Sequence, residues 1–438
     1  MILDAFRDIF KIPELKKRIF ITLGLLAIYR IGAHVPVPGI DSRALSDFFQ
    51  QMQGTIFGMV DLFAGGALRR LSIFALGIMP YITASIILQL LIPVVPALEK
   101  LHKEGEEGRK KIVQYTRIAT VFIALFQSLG IAIWLENPAN FQGRLIVPFP
   151  GWSFRLLTII TVTAGTSFIM WLGEQITEKG IGNGISLIIF AGIIARAPGD
   201  LIRTIALIQN RQIHMFAFLL ILGFMVFVVA GVVLITLGQR KIPVQYARRV
   251  IGRRVYGGQS TYLPLKVNQA GVIPVIFAMS ILQFPQTIAT FLGANNPAFK
   301  NFATYFSTYN PVGMTLYALL IIFFTYFYTA ITFNPKEISD NIKKYGGFIP
   351  GIRPGKATAD YLDKIMTRIA LPGGLFLAGI ALLPTLLIKW LNVPFYFGGT
   401  SLLIVVGVAL DTLQQIESHL IMRQYEGFLS KGKLRSRY

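Results

Sequence analysis

The sequence predicts an all-α, polytopic membrane protein, and three observations carry that reading. The 438 residues are 54% hydrophobic and 14% charged, with a mean hydropathy of +0.60, whereas a soluble chain carries about 25% charged residues. The apolar residues gather in ten blocks, most of them near the ~20 residues needed to cross a ~30 Å hydrocarbon core. The basic residues are sorted between alternate connections, which sets an orientation. The formal net charge of +21 would by itself suggest a nucleic-acid partner, but most of it follows from this sorting. There is no cysteine, which excludes disulfides and cysteine-ligated zinc or iron–sulfur sites.

The apolar blocks are 19–31, 73–92, 112–135, 156–172, 185–197, 215–237, 271–292, 312–333, 369–388 and 395–410. Lys11, Lys16, Lys17 and Arg18 precede the first block, yet no Ala-x-Ala cleavage site follows, so an uncleaved first span is expected. Blocks 19–31 and 185–197 are short enough to be re-entrant. The positive-inside rule arbitrates. With ten spans and both termini cytoplasmic, 31 Lys and Arg fall on the cytoplasmic side and 9 on the other. Omitting a short block, or letting 56–71 cross, would put large basic loops on both faces. Both short blocks are therefore expected to cross, and 56–71 to dip and return. The spans divide five and five, 1–200 and 201–438, and two pseudo-symmetric halves are expected, although no sequence repeat links them.

Residues 61–91, DLFAGGALRRLSIFALGIMPYITASIILQLL, organise the chain. The first part carries Gly65-Gly66 and the pair Arg69-Arg70, and an arginine at a helix centre in lipid costs at least ~2.5 kcal/mol. A half-helix kept out of lipid, a bend near Ser72 and then a full span are expected. Broken backbone at membrane depth is tolerated only where protein or a water-filled cavity surrounds it.

Two connections exceed what orientation requires. Loop 238–268 mixes β-branched residues, Tyr and Arg around Gly257-Gly258 and reads as an extended, hairpin-like finger. Loop 334–368 holds a Gly/Pro-rich turn before a short helix. Long structured loops usually carry function, and docking of a large partner is expected here, against plain contact with anionic lipid.

Candidate chemistry is sparse. His34, His102, His214 and His419 lack ligand spacing, and no nucleophile–base constellation stands out. Neither a metal nor a cofactor is expected, and an intramembrane enzyme is disfavoured. The glycines of EKGIGNGIS do not match G-x-G-x-x-G and no phosphate-binding Lys follows, so this is expected to be a turn that starts the fifth span. Spans two, four and six to nine contain no ionisable residue, while Arg30, Arg117 and Arg196 lie toward span ends. Ion-coupled carriers place such groups near the midplane. A small-solute secondary transporter remains the alternative that ten spans and a broken helix allow. Ile78 and Ile82 share a helix face, as do Ile185 and Ile189. By count alone such isoleucines face lipid or core. Thr83, Ser85, Gln89, Gln127 and Asn268 read as polar packing contacts between helices.

The motifs FALGIMPYITASIILQLL, EGEEGRKKIVQYTR, MWLGEQITEKGIGNGIS, STYLPLKVNQAGVIPVIF, FIPGIRPGKAT and VPFYFGGTSLLIVV resemble the SecY family, the central subunits of bacterial Sec translocons. The resemblance covers nearly the whole chain. It implies an hourglass-shaped protein-conducting channel in the cytoplasmic membrane, with an apolar pore ring carried over to Ile78, Ile82, Ile185, Ile189, Ile276 and Ile404. It implies a plug at about 57–70, including Gly65, Gly66, Arg69 and Arg70, with both arginines facing the aqueous outer cavity. It implies a lateral gate between the second and seventh spans, where Gln89, Gln127 and Asn268 are candidate latch residues. The basic loops then look like docking surfaces for the SecA motor ATPase, through Arg353, and for ribosomal RNA, through Arg248, Arg249, Arg253 and Arg254. SecE and SecG companions, secretory and membrane-protein substrates and the lipid bilayer complete the implied partners.

Overall fold

The computed structural model describes residues 12–51, 61, 64–141, 143–210, 215–246, 249–251, 254–256, 260–292, 305–307, 310–391 and 399–432. A helix occurs in each of the ten apolar blocks. Among the described residues, five helices are long and apolar enough to cross a membrane by length and composition, or six if a bent pair counts as one span. The chain divides into two compact units. One comprises 1–212, 283–307 and 408–438, the other 213–282 and 308–407.

In the first unit, α1 (Pro13–Gly32) begins with Pro13 at its first turn, where the missing N–H costs nothing. Helix α2 (Ser42–Gln51) is short and amphipathic. Its Phe48 and Phe49 are buried, and Phe48 packs edge-on to Trp134 and Phe141. A 3-10 turn (Leu68–Arg70) precedes α3 (Met79–Leu91), α4 (Pro96–Lys103), α5 (Glu106–Glu136), α6 (Trp152–Lys179), α7 (Gly184–Ile194) and α8 (Ala197–Gln209). Helix α5 packs on α3 and α6, and α6 packs on α1 and α7.

Helix α5 shows why this unit belongs in lipid. Thr116, Thr120, Ala124 and Ser128, spaced by four, form a buried stripe of small side chains. The hydroxyls of Thr116 and Thr120 donate to carbonyls one turn back, at 2.9 and 2.7 Å. On the opposite face Ile118, Phe122 and Phe126 are exposed, Phe122 by 68%. Small or polar inside and large apolar outside is the pattern of helices that pack in a bilayer, and an exposed apolar face of this kind is unfavourable in water.

The second apolar block differs from the expected full-length span. The helix starts at Met79, not at Ile73. Residues 73–78 are turns, with Ala75 N–H donating to Ser72 O at 2.9 Å, Gly77 N–H donating to Phe74 O at 2.8 Å, and Gly77 at φ +57°. A left-handed residue departs from the right-handed helical path, so the helix begins only after Gly77. Pro80 then sits in the first turn. Thirteen residues later α3 meets α4 at 97°, at the two prolines Pro93 and Pro96 that bracket the break.

The second unit contains α9 (Met215–Leu237), β1 (Gln239–Tyr246), β2 (Arg249–Ile251), β3 (Arg254–Tyr256), β4 (Ser260–Lys266), α11 (Pro311–Thr332), α12 (Pro335–Lys344), β5 (Gly347–Phe348) and α13 (Lys356–Leu391). Helices α10 (Ile273–Leu292) and α14 (Gly399–Gly432) each run from one unit into the other. Strands β1 and β4 pair antiparallel from Gln239↔Lys266 to Gln245↔Ser260, as the finger reading expected. Strand β5 adds to the other edge of β1.

Candidate functional site

Residues 61 and 64–91 belong to the first unit, and most of 64–80 are buried. Gly65 and Gly66 lie at φ +64° and +83°, a region that L side chains rarely enter. Their double turn lets the chain fold back on itself. Gly66 N–H donates to Asp61 O at 2.8 Å, and Arg69 N–H donates to Asp61 Oδ1 at 3.0 Å. The other carboxylate oxygen, Oδ2, lies 3.2 Å from Arg196 Nη1, with the two side chains only 4% and 8% exposed. From α1, Arg30 Nη1 donates to Gly65 O at 3.0 Å and the Tyr29 hydroxyl to Ala64 O at 3.4 Å. From α7, Gly192 approaches so closely that a Cβ there would stand 3.1 Å from Gly65 Cα. Arg69 and Arg70 are half-buried, and Arg69 Nε is buried without a hydrogen-bond partner among the described residues. Residues 57–60, 62 and 63 of the expected plug lie outside the described residues.

Ile78 and Ile82 follow on consecutive turns at the start of α3, both buried, with Ile82 N–H donating to Ile78 O at 3.1 Å. Ile185 is half-buried against Gly173, and Ile189 is buried one turn later on α7. The turn before α7 is fixed from three directions. Ile181 N–H donates to Thr22 Oγ1 at 3.0 Å, Gly182 N–H to Gln415 Oε1 at 2.9 Å and Gly184 N–H to Thr177 Oγ1 at 2.9 Å. Asn183 caps the helix through Ser186 N–H at 3.2 Å. These backbone donors are therefore occupied and cannot cradle a phosphate. In the second unit Ile276 and Ile404 are each buried.

Of the gate candidates, Gln89 Nε2 donates within its own helix to Ser85 Oγ at 3.0 Å. Gln127 is half-buried on α5. Asn268, in the second unit, is buried; its Nδ2 donates to Gly271 O at 3.1 Å, while its Oδ1 has no partner among the described residues.

The two basic loops, distinct in sequence, share one apolar core. Ile242, Val244 and Leu265 of the hairpin are buried with Phe333, Ile342, Ile349, Leu362, Ile365 and Met366. Strand β1 alternates buried Ile242 and Val244 with exposed Lys241, Pro243 and Gln245, which is the period-two signal of a half-buried strand. On this body Arg353 is exposed at a turn whose carbonyl accepts from Thr358 Oγ1 at 2.9 Å. Arg249 and Arg254 lie on the paired strands β2 and β3. Arg248 and Arg253 lie outside the described residues.

No group of three or more His, Asp or Glu able to hold a metal ion occurs among the described residues. The SecY family model matches residues 72–413. The chain belongs to the SecY family. Its SecY relatives include the protein translocase subunit SecY of Escherichia coli strain K12, 52% identical over 427 residues, covering 96% of this chain and 95% of that one. The translocase subunit SecY of Thermus thermophilus is 50% identical over 443 residues, covering 99% of each. Among solved structures, one described as a protein-conducting channel superposes with a TM-score of 0.67 at 21% identity, covering 92% of each chain. At that identity the likeness is one of fold. Sequence reasoning missed the pairing of Asp61 with Arg196. Arg196 stands out only as a charge at a span end, and a sequence separation of 135 leaves no local periodicity that would link the two.

Proposed function

We propose that this chain is the channel subunit of a protein translocase, conducting unfolded polypeptides across the cytoplasmic membrane and releasing apolar segments sideways into lipid. Near-complete alignment at about half identity with translocase subunits carries this reading. The chain provides passage and performs no catalysis. Ten spans in two halves, 1–200 and 201–438, with both termini cytoplasmic, accommodate the apolar helices and the charge distribution.

Within that reading, Ile78, Ile82, Ile185, Ile189, Ile276 and Ile404 form the constriction. A narrow apolar collar sheds water and resists ion leak, and it offers a passing chain no charge to bind. Residues 57–70 are the plug, and Gln89, Gln127 and Asn268 flank the lateral gate. The body built on the hairpin and on α12–α13 presents Arg353 to the SecA motor. Arg248, Arg249, Arg253 and Arg254 meet ribosomal RNA, whose phosphates favour clustered arginine. SecE and SecG are the companion subunits. The test is ion conductance and secretion by proteoliposomes carrying Ile78→Ser, Ile185→Ser and Ile404→Ser together. Raised conductance is expected; unchanged leak with unchanged secretion would refute the collar.

A further inference from the structure

Asp61 joins two separate structures. Its Oδ1 closes the loop 61–69 internally through Arg69 N–H, and its Oδ2 attaches that loop to Arg196. Arg30 independently holds the Gly65 carbonyl. We propose that Asp61, Arg196 and Arg30 form a clasp that holds residues 61–70 in their seat and must open before that segment can leave it. The proposal rests on reading 57–70 as the plug.

Asp61 and Arg196 are both below a tenth exposed, and separating a buried pair without hydration leaves two uncompensated charges. The contact is therefore either made or broken, with little in between. Ile185, Ile189 and Gly192 fall at spacings of four and three, which places them on one face of α7, and Arg196 is the second residue after that helix ends. Gly192 lies against Gly65 and Arg196 against Asp61. An outward shift of α7 therefore moves two isoleucines of the proposed collar and opens the clasp in the same motion.

The chain has no cysteine, so a thiol introduced at fully buried Ala67 is a clean reporter. The full chain carrying Ala67→Cys, purified with its companion subunits, is reconstituted in proteoliposomes. Labelling by a water-soluble maleimide and ion leak are both measured. Asp61→Asn and Arg196→Gln are each expected to speed labelling at least about tenfold and to raise leak. The swap Asp61→Arg with Arg196→Asp is expected to slow labelling again. Should a single variant fail to accumulate, the double variant Asp61→Asn with Arg196→Gln, which buries no unpaired charge, is measured instead and is expected to label faster than the parent. Labelling at the parental rate would overturn the clasp. Faster labelling with parental leak would uphold the clasp and overturn the plug reading. Parental labelling in the charge variants, with leak raised by deleting 64–70, would overturn the clasp and leave the plug reading standing.

Discussion

Replacing Gly65 with alanine isolates the seat of residues 61–70 from its charges. Two costs add. Gly65 sits at φ +64°, where an L side chain costs about 1–2 kcal/mol. The new Cβ would stand 2.8 Å from Gly192 Cα. That neighbour is backbone, which cannot rotate away, and overpacking of this kind costs about 1–3 kcal/mol. Only the seated state bears either cost, because a released segment relieves both. The seated-to-released ratio therefore falls by about 2–5 kcal/mol, roughly 30-fold to several thousand-fold at ~1.4 kcal/mol per decade. Gly66→Ala is the internal control. Its φ of +83° carries the same backbone cost, but its nearest new contact is Arg69 Nε at 3.3 Å, on a side chain that can yield. The expected shift there is about 5- to 30-fold. Ion leak through planar bilayers reads the difference: Gly65→Ala should leak most, Gly66→Ala less, the parent least. A parental leak for Gly65→Ala, or a Gly66→Ala leak equal to it, would refute the reasoning.

Other outcomes follow from the second unit. Arg353→Glu should depress motor-driven secretion while leaving membrane accumulation of the protein unchanged, because the side chain is exposed; equal loss of accumulation would make the residue structural. Leu362→Ala, at a fully buried position of the core shared by both loops, should cost about 2–5 kcal/mol. It should lower hydrogen-exchange protection in β1 and β4 together with α13; loss confined to α13 would mean that the loops do not share a core.

Local pattern made much of this fold readable. The ten apolar blocks, the finger and the turn before α7 are encoded by composition, alternation and Gly/Asn placement within windows of a few residues. Pairings across long separations were not readable. No periodicity in the apolar run signals that Gly77 turns left-handed, at φ +57°, so a reading from hydropathy starts α3 six residues early. The break at 97° between α3 and α4 did have a local signal in Pro93 and Pro96. Asp61 is one acid near a loop, and its role follows only from Arg196 being folded against it. The common core of loops 238–268 and 334–368 was hinted at by alternation in QRKIPVQY. The partner face on α12 and α13 was beyond any local window.

The most direct test of the central claim uses a secretory polypeptide stalled in transit through the reconstituted chain. A photo-crosslinking residue is placed at Ile82, at Ile276 and, as a lipid-facing control, at Phe122. Adducts to the stalled polypeptide at positions 82 and 276, with lipid adducts alone at 122, are predicted. Polypeptide adducts at 122, with only lipid at 82 and 276, would contradict the account.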